Sequence, residues 1–110
     1  MMFVRRDPSI EMPPEDRTAM PAQVGAWVAE MERRGIRLHG AVFEPPEATR
    51  TDRLVDGDAH VTSGSHSPDR DLVSGYNLLE CADLAEAIDV AAVHPIARFG
   101  SIELRPLASP

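Results

Sequence analysis

The sequence holds 110 residues, 43% of them hydrophobic, enough for one domain that buries roughly 65% of the surface its unfolded form exposes. Eleven basic side chains against eighteen acidic ones leave a net charge of -7. That balance argues against a general binder of nucleic acid or anionic membranes, both of which require a basic face. All eleven bases are arginine; without lysine, Schiff-base chemistry, pyridoxal phosphate attachment and a P-loop are excluded. The single cysteine, Cys81, permits no intramolecular disulfide and no multi-cysteine metal site. No segment approaches the ~18 apolar residues of a membrane span. The opening Met1-Met2-Phe3-Val4-Arg5-Arg6 places its charges after the apolar run, the reverse of a secretory leader. The expectation is a cytoplasmic protein with one domain over residues 1–110.

A first strand is predicted over Met1 to Arg6 and closed by Asp7-Pro8, because a residue before proline is steered away from helix. Residues 7–20, with Pro8, Pro13 and Pro14, read as a mobile loop or flap. The first helix is expected to start near Pro21, with Val24, Trp27, Val28 and Met31 forming a core stripe and Gly35 its C-terminal cap. A strand follows from Ile36 to Phe43, straight or bulged. Thr51–Val55 and Ala59–Thr62 then pair as a hairpin around Asp56-Gly57-Asp58, since Asp-Gly supplies the positive φ angles of a tight turn. Residues 63–71 are a polar loop, and Leu72 to Glu80 return to strand with Gly75 at a bulge. A second helix opens with a capping box, Asp83 and Glu86, and shows an apolar face of Leu84, Ala87, Ile88, Ala91 and Ala92. His94-Pro95 stops it, and Ser101–Leu107 alternates as a last strand.

The order β-α-β-(β-hairpin)-β-α-β predicts an α+β, ferredoxin-like antiparallel sheet with both helices on one face. The other face would be left open, with Leu, Val, Ile and Tyr on both sides of several strands, so a homodimer is expected.

Among the polar residues, the four histidines His39, His60, His66 and His94 match no metal-ligand spacing, so no metal and no cofactor are expected. His94 ends a helix, where the dipole favours a cation; it is expected to titrate near neutrality and to act as general acid or base. His66 in the polar loop is the second catalytic candidate, with Asp69 and Arg70 contacting substrate. His39 would line the same pocket if it faces inward, and Tyr76 would set its hydroxyl at the pocket edge. That pocket is expected between sheet and helices, ringed by residues 7–20 and 63–71.

The run GIRLHGAVFEPP from Gly35 to Pro46, the Asp-Gly hairpin, the Asp83 capping box and the tail HPIARFGSIELRP together resemble the YCII-related superfamily, closest to its DGPF-domain branch. The resemblance covers about Met20 to Pro106 and implies a dimeric α+β barrel. The branch's Asp-Gly-Pro-Phe signature falls on Ser63-Gly64-Ser65-His66, where only the glycine matches. The wider family's suspected catalytic pair is a histidine early in the first helix and an aspartate after the second. Those positions hold Gln23 and His94 here, which adds Gln23 to the substrate-binding candidates. Two functions follow as expectations: a domain binding a small organic molecule, with histidine acid–base chemistry, or a non-catalytic accessory protein acting through dimerisation and protein partners.

Overall fold

The computed structural model describes residues 1–65 and 72–108. It contains strands β1 (Met2–Arg6), β2 (Arg37–Val42), β3 (Arg50–Val55), β4 (Asp58–Ser63), β5 (Val73–Leu79) and β6 (Gly100–Leu104), with helices α1 (Pro14–Arg33) and α2 (Leu84–Ala92). Four strands form an antiparallel sheet in the order β2-β5-β1-β6, and β3-β4 pair separately. Each β-α-β unit thus straddles a strand of the other, an arrangement compatible with the ferredoxin-like expectation.

The sheet is two-faced because β1 alternates. Met2 and Val4 point into the main core with Trp27, Met31, Ile36, Val90 and Ala91, so both helices cover that side. Cross-strand partners share a face: Asn77 sits opposite Met2 and Gly75 opposite Val4, on the helix side. Tyr76 sits opposite Phe3, on the open side. Trp27 is the anchor of the core, 5% exposed, with its indole Nε1–H donating to the Val90 carbonyl at 3.1 Å.

Helix α1 begins seven residues before Pro21, which corrects the expected loop over residues 7–20. Pro14 stands where a missing N–H is harmless, and Glu15 and Asp16 complement the dipole of the first turn. Met20 extends the apolar stripe backwards and packs with Met12 and Phe99 in a second small core. Pro21 is therefore an interior proline, tolerated because its neighbours are held by packing.

The second helix also departs from expectation. Its capping box forms, Asp83 accepting from the Glu86 N–H at 2.8 Å while Glu86 accepts from the Ala82 N–H at 3.0 Å. Its buried residues are Val90 and Ala91, however, whereas Leu84 and Ile88 are exposed. The helix leans on the core by its C-terminal turn: of the expected face Ala91 is buried and Ala87 half-buried, while Leu84, Ile88 and Ala92 are exposed and Val90 takes their place. The last strand ends at Leu104 rather than Leu107.

The Asp56-Gly57 turn has positive φ at both residues, 50° and 84°, as a two-residue hairpin requires. Eleven of the twelve strand residues of this hairpin are exposed, and it extends the molecule to a radius of gyration of 16.1 Å, against roughly 13 Å for a compact chain of this length. No helix among the described residues is long and apolar enough to cross a membrane.

Truncating Trp27→Ala is expected to remove about 3–5 kcal/mol of stability, while Ile88→Ser is expected to change it by no more than about 0.5 kcal/mol. Urea unfolding of the two variants checks the assignment of the α2 face.

Candidate functional site

Where the N-terminal half of α1 passes over β2 and β5, the sheet presents Gly75, opposite Val4, with no side chain to fill the gap. The result is a cavity of about 610 Å³ between sheet and helices. Its apolar wall comes from Val4, Met12, Met20, Pro21, Val24, Val28 and Ile96, and its polar groups are Arg17, Arg37, Ser74, Asn77 and His94.

Asn77 is 6% exposed, a polar side chain at an inward position of an otherwise apolar strand. Its orientation is fixed chemically. Arg37 Nε, which can only donate, lies 2.7 Å from Asn77 Oδ1, so the Nδ2 amide hydrogens face the other way. Arg37 is held in turn by Glu32, its Nη1 2.6 Å from the Glu32 carboxylate. Gly40 makes room for this pair. A β-carbon there would stand 2.5 Å from both the Arg37 guanidinium and Asn77 Oδ1, and 2.7 Å from the Tyr76 carbonyl.

His94 is 4% exposed and packs edge-on against Trp27, ring centres 4.8 Å apart. The backbone N–H of Ile96 donates to His94 Nδ1 at 3.1 Å. An acceptor nitrogen carries no proton, so the neutral ring bears its hydrogen on Nε2. Burial pushes the His94 pKa from 6.5 down to about 4. The helix terminus was expected to favour the cation; desolvation outweighs it. At neutral pH the ring is an uncharged donor. Service as a base at Nε2 would first require the proton to move to Nδ1 and break the bond from Ile96.

Among the described residues neither Asn77 Nδ2 nor His94 Nε2 has a protein acceptor, yet no fully enclosed side-chain nitrogen or oxygen there lacks a partner. Both donors therefore open onto the cavity they line. Arg17 is exposed at its rim, its Nη2 donating to the Met12 carbonyl at 3.1 Å.

The other anticipated residues do not converge here. His39 is exposed on the open sheet face, 2.6 Å from the Tyr76 hydroxyl, and is not part of the cavity wall. A bulge between Arg37 and His39 sets that direction. Tyr76 contributes to the wall along the strand, but its ring lies on the open face, stacked on Phe43. Gln23 is exposed on α1, accepting from Arg98 at 3.4 Å. His66, Asp69 and Arg70 lie outside the described residues. Cys81 packs beside the main core, where burial and the Glu86 carboxylate push its thiol pKa up, the opposite of what a nucleophile needs. No metal-holding group of three acidic, histidine or cysteine side chains occurs among the described residues. Arg37, Asn77 and Arg17 were missed by sequence reasoning. The one available signal was an asparagine on the inward side of an apolar strand.

The His94 environment fixes a pH dependence. Between about pH 4 and 6.5 the unfolded imidazole binds a proton that the folded one refuses, so stability rises with pH across that window and is complete above it. Acidification from 6.5 to 4 is expected to remove about 3 kcal/mol, and His94→Gln to abolish that slope in denaturant titrations run at each pH.

No curated protein matches the chain in sequence. The YCII-related domain matches residues 1–109, nearly the whole length, and with it the antiparallel sheet and two helices described above: the chain belongs to the YCII-related domain family.

Proposed function

We propose that this YCII-related chain binds a small organic molecule in the cavity between α1 and the sheet, with His94 as its polar anchor. One observation carries the reading: a histidine 4% exposed whose Nε2–H finds no acceptor among the described residues, on the wall of a largely apolar cavity. Facing the cavity, that donor is available to a ligand acceptor, and such a hydrogen bond contributes about 0.5–1.5 kcal/mol. Apolar walls with a few fixed polar groups are the usual composition of small-molecule sites. In this reading the neutral imidazole polarises a bound oxygen by donating to it. The acid–base role expected for His94 is secondary, because the proton sits on the wrong nitrogen for a base.

Within the family we place the chain nearest the DGPF-domain branch, in the cytoplasm, as a homodimer joined through the open sheet face. That face carries Phe3, Phe43, Tyr76 and Leu78, with Phe43 46% exposed. An aromatic surface of this kind supports self-association. Phe43→Glu is expected to yield a monomer in sedimentation analysis where the parent protein sediments as a dimer.

The binding reading is tested by NMR titration with a panel of small aromatic and keto-acid compounds. The expected outcome is a shift of the Trp27 indole N–H and the Asn77 side-chain amide, with Gln23 and His39 unmoved, and roughly tenfold weaker binding in His94→Ala. Shifts confined to Gln23 and His39 would overturn it.

A further inference from the structure

The polar lining of the cavity is one-sided, and that bears on what it takes. The chain holds eighteen acidic residues against eleven arginines, yet no aspartate or glutamate lines the cavity among the described residues, while two arginines do. Asn77 could have shown either its oxygen or its nitrogen. The Arg37 Nε–H occupies the oxygen, leaving two amide hydrogens on the cavity side. His94 could have shown a lone pair or a hydrogen. The Ile96 N–H occupies the lone pair at Nδ1, leaving Nε2–H. Arg37 is charge-balanced by Glu32, but Arg17 has no carboxylate partner among the described residues. Asn77, His94 and the two arginines therefore offer hydrogen; among the described residues only Ser74, whose hydroxyl donates to the Val4 carbonyl at 3.3 Å, keeps an acceptor on the lining, and the unbalanced charge of Arg17 at the rim is positive.

The geometry points to a ligand with an apolar body and a carboxylate head, the carboxylate accepting from Asn77 Nδ2 and His94 Nε2 beneath the Arg17 guanidinium. The assignment rests on the binding reading above and narrows it to one chemical class. An oxyanion has several acceptor sites and no hydrogen to leave unmatched, so it can satisfy both buried donors at once. Hydrogen bonds to an ionised acceptor are about twice as strong as neutral ones. An ammonium would meet the donors of Asn77 and His94 and a like charge, with the Ser74 hydroxyl oxygen as its one side-chain acceptor among the described residues. An alcohol would bring a hydrogen for which Asn77, His94 and the arginines keep no acceptor. The depressed pKa of His94 fits the same picture, since the site supplies its donor without a buried cation.

Three probes with the same phenyl-butyl body separate the possibilities: 4-phenylbutyrate, 4-phenyl-1-butanol and 4-phenylbutylamine. Each is titrated at pH 7 and followed at the Trp27 indole N–H and the Asn77 side-chain amide. The expected result is 4-phenylbutyrate binding at least about tenfold more tightly than either analogue. In Asn77→Asp the oxygen facing Arg37 is kept while the two hydrogens on the cavity become an acceptor. That variant is expected to lose 4-phenylbutyrate by more than about tenfold and to bind the amine better than the parent does. Arg17→Gln, at an exposed position, is expected to weaken the carboxylate several-fold and leave the alcohol unchanged. Equal or tighter binding of the alcohol or amine by the parent protein overturns the carboxylate assignment and leaves cavity binding standing. Failure of all three probes to move Trp27 and Asn77 overturns both.

Discussion

The contact between Trp27 and the end of α2 organises this molecule. The indole fills the space between helices and sheet, and its only polar atom is discharged on the Val90 carbonyl. That one bond fixes where α2 ends relative to α1. His94, two residues beyond Ala92, is then laid against the indole edge, and Pro95 turns the chain so that Ile96 N–H can reach back to the ring. The position, tautomer and low basicity of the imidazole all follow from a hydrophobic anchor that itself takes no part in any chemistry.

The sheet side of the cavity is ordered by charge rather than by packing. Glu32 on α1 holds Arg37 at the start of β2, and Arg37 holds Asn77 in the middle of β5. Three elements meet in two hydrogen bonds, one of them between residues forty positions apart. A buried amide left to itself could rotate and offer either end. Tied to a guanidinium that has no acceptor, it can offer only one. Asn77 and His94 thus reach the same polarity by unrelated means, an ion-paired arginine for the one and a backbone N–H for the other.

What was legible in the sequence was whatever depended on neighbours along the chain. The Asp-Gly turn, the Asp83 cap and the alternation of Tyr76 and Leu78 against Asn77 and Leu79 are local rules, and each is present in the structure. The start of α1 was misplaced because Pro21 satisfies the rule for a first helical residue, as does Pro14, and only the packing of Met20 on Met12 and Phe99 decides between them. His39 was assigned a possible inward direction that a bulge at Leu38 reverses. His94 keeps a neutral ring against the expected cation, because helix termini are visible in a sequence and desolvation is not. Arg37 and Asn77 escaped notice since nothing local links a residue after a helix to one in a later strand.

Gly40 ties the history of three positions together. Any side chain there would collide with the Arg37 guanidinium, the Asn77 oxygen and a strand carbonyl at once. Neither flexible partner can retreat without releasing the other, and the carbonyl cannot move without opening the β2-β5 ladder. Positions 37, 40 and 77 are therefore not free to vary one at a time. Among relatives that keep this wall they should be found as a set, glycine accompanying the arginine–asparagine pair. A lineage that acquires a side chain at position 40 would have to rebuild the polarity of the cavity in the same step.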